Sequence, residues 1–153
     1  MNNMQRDRAM MTLALEQARL ARTVGEIPVG AVVTRDGEVI STGHNRRELD
    51  GDPTAHAEVV AIRAAAKALG GRRLSGCTLY VTLEPCPMCA GAIVMAGLQR
   101  VVYGAADPKQ GCTGSVYRIT EDPAFTHYCP ADGGVLAEEC QAQLDEFFKE
   151  ARK

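Results

Sequence analysis

The sequence lacks the apolar segments that membrane insertion and secretion require. No apolar run approaches the length of a membrane-spanning helix, so we expect no membrane partner. The first residues, Met1-Asn2-Asn3, lead directly into a charged stretch without the apolar core of a signal peptide. We therefore expect a cytoplasmic protein whose six cysteines are reduced thiols rather than disulfides.

The sequence also lacks a strong net charge, internal repeats and low-complexity tracts. The formal net charge of −2 gives no overall attraction to nucleic acid, so a polyanionic partner would have to be held by a local basic patch. With 153 residues, 46% of them hydrophobic, the chain is long enough for one domain with an ample core. The prediction is a single α/β domain over residues 1–153.

Helical and strand patterns follow one another along the chain. Residues 6–22 predict an amphipathic helix, and residues 30–40 predict a β-hairpin that turns at Asp36-Gly37. The remaining predicted elements are a helix over 57–69, a strand over 79–83, a helix over 86–97, a strand over 101–104 and a closing helix over 135–152. The strand–helix–strand succession predicts two parallel neighbouring strands. Residues 128–132 make a poor fifth strand, because proline cannot donate to a strand ladder.

Two short motifs carry the chemistry, His56-Ala57-Glu58 and Pro85-Cys86-Pro87-Met88-Cys89. One imidazole and two thiolates are donors that Zn²⁺ prefers, and three protein ligands leave the fourth tetrahedral position open for water. Glu58 is then the acid/base group for that water. The predicted site has His56, Cys86 and Cys89 as metal ligands and Glu58 as the proton shuttle.

Either motif alone is a weak signal. A CxxC pair also occurs in redox sites and in structural zinc sites, and a histidine near a carboxylate is common on protein surfaces. A structural zinc site would need a fourth ligand, and composition alone leaves six candidates, His44, His127, Cys77, Cys112, Cys129 and Cys140.

Both motifs are predicted at helix starts. Asp52-Pro53-Thr54 has the cap former and proline that begin a helix, and Pro85 separates a β-rich run from the next helix. Exposed N–H groups at such a helix start favour thiolate over thiol. Because residues two apart on a helix do not share a face, Glu58 is predicted to point away from His56.

Three runs of sequence carry a resemblance to a known family, TAHAEVVAIRAAA, TLYVTLEPCPMCAGAIVMAG and RVVYGAADPKQGCTGS. They resemble the tRNA-specific adenosine deaminases, which make inosine at the anticodon wobble position, and the likeness covers nearly the whole chain. The resemblance implies a three-layer α/β/α cytidine-deaminase-like fold with a mixed five-stranded sheet. It also implies one catalytic zinc ion per subunit and a homodimer with its active sites near the interface.

The resemblance assigns roles to individual residues. It makes His56, Cys86 and Cys89 the zinc ligands and Glu58 the proton shuttle for attack at C6 of adenine. Asn45 matches a position that hydrogen-bonds the inserted base, and Asp107 matches a position near the target ribose. Each also has a simpler interpretation, since Asn45 could stabilise a turn and Asp107 could cap one.

The chain departs from the family pattern after Ser115 and in its short tail, where relatives often carry a longer basic extension. Seven basic residues could still converge beside the site and bind phosphates, namely Arg46, Arg47, Lys109, Arg118, Lys149, Arg152 and Lys153. Each of them could equally be an ordinary solvent-exposed charge with no role in binding.

Three functions therefore stay open at this point. The first is deamination of a flipped anticodon adenosine in tRNA. The second is deamination of a free nucleobase or nucleoside, such as guanine or cytosine, by the same zinc chemistry. The third is a non-catalytic zinc-stabilised domain, against which Glu58 argues, because a structural site has no use for a proton shuttle.

Overall fold

The computed structural model describes residues 1–151. The helices are α1 (Asn3–Thr23), α2 (Arg47–Asp50), α3 (Ala57–Leu69), α4 (Pro87–Ala96) and α5 (Ala137–Ala151). The strands are β1 (Gly30–Arg35), β2 (Glu38–His44), β3 (Cys77–Leu83), β4 (Arg100–Ala105) and β5 (Ala131–Asp132), and a 3₁₀ turn covers Ile119–Glu121. Among residues 1–151, no helix combines the length and the apolar content that crossing a membrane requires.

The five strands form one mixed sheet in the order β2-β1-β3-β4-β5. β1 pairs antiparallel with β2 and β3, whereas β3 pairs parallel with β4 across the connecting helix α4. This confirms the predicted parallel pair. Asp36 and Gly37 both have positive φ, as a two-residue turn between right-handed twisted strands requires, and this confirms the predicted hairpin.

Helices cover both faces of the sheet, which confirms the α/β/α architecture. Successive residues of β1 point to opposite faces, so Val32 packs with Met11 of α1 while Val33 packs with Ala61 of α3. α5 contacts the sheet at β4 on the α1 side, and α4 packs beside α3 on the other. Both starts of the motif helices, α3 and α4, therefore lie on one face of the sheet.

The contact between α3 and the sheet is unusually close. Ala57, Ala61 and Ala65 present no side chain larger than a methyl group, and all three are fully buried. A β-carbon at Gly43 of β2 would lie 2.8 Å from the carbonyl oxygen of Ala57, so only glycine fits there. Small residues on both partners thus fix the start of α3 against β2.

The predicted helices are present, but some of them begin or end at other residues than predicted. α3 covers the predicted residues, but Asp52 does not cap it, because its carboxylate accepts the N–H and hydroxyl of Thr54 instead. α1 begins earlier than predicted, since the side chain of Asn2 caps it. α5 begins at Ala137 rather than at residue 135, because Leu136 has a left-handed φ of 53°. The predicted end of α5 at residue 152 lies outside the described residues.

The fifth strand has only two residues. Ala131 and Asp132 pair parallel with Val101 and Val102 of β4. The carbonyl of Pro130 accepts the N–H of Val101 at 3.0 Å, so proline takes part only as an acceptor. This agrees with the weak strand signal of residues 128–132.

A polar cluster joins α1 to β3 and β4. Arg100 donates two hydrogen bonds to the buried carboxylate of Asp7, at 2.9 and 2.8 Å, and the hydroxyl of Tyr80 donates a third at 2.8 Å. Burial alone would raise the pKa of Asp7, but these hydrogen bonds outweigh it and lower that pKa below its ordinary value. The cluster therefore stabilises the fold most when Asp7 is ionised.

Candidate metal and catalytic site

The first residues of α3 and α4 converge on one point. His56 is the residue that precedes the first turn of α3, and Cys86 holds the same position before α4. His56 Nδ1 lies 3.7 Å from Cys86 Sγ and 3.5 Å from Cys89 Sγ, and all three donor atoms lie within 4.8 Å of one another. The two motifs, which are 30 residues apart in sequence, thus form a single cluster.

This cluster fits a tetrahedral zinc ion. Zinc bonds of about 2.0–2.1 Å to nitrogen and about 2.3 Å to sulfur place such donors roughly 3.5 Å apart, which matches the observed separations. Within residues 1–151, none of the other six histidines and cysteines named above joins a group of three donors. The structure thus offers no fourth protein ligand, which disfavours a closed structural site and agrees with an open catalytic position.

The pKa values of the two thiols shift in opposite directions. A hydrogen bond from Cys89, followed by one from His56, lowers the pKa of Cys86 to about 4. The hydrogen bond to Cys86, together with burial, raises the pKa of Cys89 well above the ordinary range. Two adjacent thiolates repel each other, so a bound divalent cation is what allows both to ionise.

Glu58 lies in the same pocket as His56. Its side chain is 4% exposed, and burial raises its pKa to about 7. The prediction that Glu58 points away from His56 is wrong, because it assumed that both residues lie within the helix. His56 precedes the first turn with extended backbone angles, φ −72° and ψ 153°, whereas Glu58 is the second helical residue. The two side chains can therefore reach one site.

The site opens into a cavity of about 500 Å³, which is large enough for a nucleobase. Asn45 and Asp107 both line it, together with Leu144 and Phe148 of α5. The cavity thus has polar groups near the metal cluster and an apolar wall contributed by the last helix.

Asn45 and Asp107 also have the simpler structural roles. The side-chain carbonyl of Asn45 accepts the N–H of Ala57 at 2.9 Å, and its amide donates to the carbonyl of Ile27 at 3.1 Å. One carboxylate oxygen of Asp107 accepts the N–H groups of Lys109 and Gln110 at 3.0 and 3.1 Å. One amide hydrogen of Asn45 and the second oxygen of Asp107 take no part in these bonds. Their contacts with a substrate stay predictions.

The structure separates the seven basic residues. Arg47 and Lys109 line the cavity, whereas Arg46 pairs with Asp50 and Arg118 pairs with Glu121. Lys149 is exposed on α5 but does not line the cavity. Two of the seven, Arg152 and Lys153, lie outside the described residues. Arg47 and Lys109 are therefore the best placed of the described five to meet a phosphate.

The sequence interpretation missed two buried glutamates. Glu84, directly before Pro85, is 2% exposed and accepts hydrogen bonds from the segment 107–115. Glu26 is equally buried and accepts the N–H groups of Glu48 and Leu49. A charged residue two positions before a predicted zinc ligand, Cys86, was the only sequence signal for Glu84. Glu26 had none, since its partners are 22 and 23 residues away.

The fold and the site together define a zinc-dependent deaminase. The family model described as the cytidine and deoxycytidylate deaminase zinc-binding region matches residues 4–105, and the chain belongs to this family. The cofactor is accordingly zinc, one ion per subunit, and the three-donor cluster is suited to hold it.

Within this family, the chain is similar to tRNA-specific adenosine deaminases over nearly its whole length. It is 48% identical over 150 residues to the enzyme of that name from Bacillus subtilis, which covers 98% of this chain and 93% of the relative. A solved structure from work on A-to-I editing by tRNA:A34 deaminases at the wobble position is 46% identical. Its TM-score is 0.86 over 89% of this chain and 99% of that chain.

A free-base deaminase is also similar to this chain. The guanine deaminase structure from Bacillus subtilis is 44% identical with a TM-score of 0.63, over 69% of this chain and 66% of that chain. The likeness to the tRNA-specific enzymes extends over more of both partners. The fold is thus shared with a structure that is named for a different substrate.

Proposed function

We propose that this chain hydrolyses the exocyclic amino group of adenosine at the wobble position of a tRNA anticodon, yielding inosine. The observation that carries the proposal is the likeness to tRNA-specific adenosine deaminases over 98% of the chain, combined with a buried glutamate beside a three-donor cluster. We treat residues 1–153 as one deaminase domain that acts in the cytoplasm, where tRNA is available.

The proposed ligands of the zinc ion are His56, Cys86 and Cys89. Zinc bound there supplies a water nucleophile near neutral pH, because it lowers the pKa of water to about 7. Glu58 takes one proton from the water as its oxygen adds to C6 of the adenine ring. Protonated Glu58 then donates to ring nitrogen N1, takes the proton of the hydroxyl added at C6 and passes it to the amino group. The C6–N bond breaks, ammonia leaves and the C6 carbonyl of inosine forms.

The environment of Glu58 suits these transfers. Burial raises the pKa of the Glu58 carboxyl, which makes its protonated form more accessible near neutral pH than that of an exposed glutamate, so it can accept a proton and return it. Asn45 is proposed to orient the base through its remaining amide hydrogen, and Asp107 to bind the ribose through its second oxygen. Arg47 and Lys109 are proposed to meet the flanking phosphates.

A flipped base is consistent with the shape of the site. The cluster and Glu58 lie within a cavity rather than on the surface, so adenine in a stacked anticodon loop could not reach them. Extruding the base from a single-stranded loop costs little compared with a duplex, which favours a loop substrate.

The protein is also proposed to form a homodimer. Exposed apolar side chains gather on α4 and on the segment 116–128, which flanks the 3₁₀ turn that packs against α4. Met95 of α4 is 79% exposed, and Tyr117, Phe125 and Tyr128 are also exposed. A second copy of the chain would remove these apolar groups from water.

Ammonia release from four substrates tested in parallel checks the proposal. Purified protein should release ammonia from a tRNA with adenosine at the wobble position, and more slowly or not at all from adenosine, guanine and cytosine. Guanine turnover without tRNA turnover would instead support the free-base deaminase.

A further inference from the structure

Glu84 is a second buried carboxylate in the wall of the substrate cavity, and it is not part of the zinc cluster. It follows the last residue of β3, and its side chain is 2% exposed. Its carboxylate accepts the backbone N–H groups of Asp107, Thr113 and Ser115 at 3.0, 3.2 and 2.9 Å, and it also accepts the hydroxyl of Ser115. One side chain therefore binds four donors from one loop.

The segment 106–115, called here the substrate loop, depends on this carboxylate for its position. A β-carbon at Gly111 would lie 2.3 Å from the carboxyl carbon of Glu84, so the loop wraps directly around the side chain. Five residues of the same loop, residues 106–110, line the substrate cavity, and Asp107, Lys109 and Gln110 are the polar ones among them. Glu84 thus connects the chain before the zinc-binding Cys86 with the residues that face the substrate.

The hydrogen bonding of Glu84 differs from what a proton carrier needs. A carboxylate has about four acceptor positions, and four donors of the loop occupy them. A group bound in this way has no free acceptor for a substrate or a water molecule. Its role has to be exerted through the loop that it holds.

We propose that Glu84 is a positioning residue that holds the substrate loop so that Asp107 meets the ribose of the target nucleotide. The proposal rests on the proposed function, because it assigns Glu84 to the binding of the same RNA substrate. Glu84 is neither a proposed zinc ligand nor the proposed proton carrier, so this role is additional to the proposed mechanism.

The substitution Glu84→Gln tests the proposal with little change in volume. Glutamine has one acceptor oxygen, and its amino group faces loop N–H groups that need an acceptor. We expect the KM for wobble-adenosine tRNA to rise by about tenfold or more, since buried donors lose their partners. The kcat at saturating tRNA should stay within about threefold of wild type, and the zinc content should stay at one ion per chain.

The matched control is Asp7→Asn, which also removes a buried, hydrogen-bonded carboxylate but lies outside the substrate cavity. The measurements for both variants are KM, kcat, zinc content by elemental analysis and folded fraction by circular dichroism. Asp7→Asn should lose stability while its KM stays at the wild-type value. An equal KM for Glu84→Gln and Asp7→Asn would overturn the proposal, as would loss of kcat with unchanged KM.

If Glu84→Gln does not fold, the variant Ser115→Ala tests the proposal instead. This variant removes one donor of the four and should raise KM by about two- to fivefold with kcat unchanged. An unchanged KM in Ser115→Ala would then overturn the proposal. Wild-type protein in the same assay separates the two claims: without wobble conversion by the wild type, the proposed function itself fails, whatever the variants do.

Discussion

Replacement of Glu58 by glutamine removes the proposed proton carrier and leaves the metal cluster intact. A glutamate with the ordinary pKa of 4.5 would need about 3 kcal/mol to carry a proton at pH 7, whereas burial raises the pKa of Glu58 to about 7 and removes most of that cost. Positioned general acid–base catalysis contributes about 10²- to 10⁴-fold. We therefore expect Glu58→Gln to lower the single-turnover rate constant by at least about 100-fold, or roughly 3 kcal/mol of barrier.

The assay is inosine formation in tRNA under single-turnover conditions, with zinc measured in the same protein sample. The exposed Glu38, on the hairpin, provides a control in which the same change of side chain, Glu38→Gln, should leave the rate unchanged. Because Glu58 is not a proposed ligand, Glu58→Gln should keep one zinc ion per chain. Activity within tenfold of wild type would refute the role of Glu58, and loss of zinc would show that it is a ligand instead.

Four further changes test other parts of the structure. Cys89→Ala should lose zinc and activity, because two protein ligands hold the ion poorly, whereas elemental analysis should find full zinc in Cys112→Ala, whose thiol is buried outside the cluster. Arg47→Glu should raise the KM for tRNA and reduce the slope of its salt dependence by about one, and an unchanged slope would exclude a phosphate contact. Asp7 has a pKa below its unfolded value of 3.8, so its stabilising contribution is present above that pH and is lost as the pH falls through the folded pKa. Asp7→Asn should therefore lower the melting temperature by about 5 °C at pH 7 and by less at pH 3, as differential scanning fluorimetry can show. Met95→Glu should shift the mass in analytical ultracentrifugation from dimer to monomer, and an unchanged dimer would place the interface elsewhere.

The sequence predicted those parts of the fold that local chemistry determines. The alanine-rich run after His56 gave the bounds of α3, and Asp36-Gly37 gave a turn with two positive φ angles. The ligand cluster was predictable for a similar reason. Few residue types bind zinc, and their spacing at two helix starts restricts where they can meet.

Two kinds of feature were not predicted from the sequence. Some depend on contacts between residues that are far apart in the chain, and others depend on whether a helix begins one residue earlier or later. Whether Glu58 faces His56 depends on His56 lying just outside the helix, a difference of one position. Glu84 binds donors that lie 23 to 31 residues later, and no pattern near Glu84 indicates them. The start of α5 depends on the left-handed backbone of Leu136, a conformation that a leucine does not signal.

The position of the site follows from the architecture. Small residues at Gly43, Ala57 and Ala61 hold the start of α3 against the sheet, and the parallel pair β3–β4 places the start of α4 beside it. The exposed N–H groups at the start of α4 favour the ionised form of the thiols of Cys86 and Cys89, which is the form that binds a cation. The fold thus brings the three proposed zinc ligands together, and the proposed substrate contacts lie in the loops around them.

Sequencing of treated tRNA tests the central claim most directly. A tRNA with adenosine at the wobble position is incubated with the purified, zinc-loaded protein, reverse-transcribed and read at single-base resolution. The account predicts conversion of that adenosine to a guanosine readout by the wild type, no change at other adenosines, and almost none with Glu58→Gln. No conversion at high enzyme concentration, together with ammonia release from guanine, would contradict the claim.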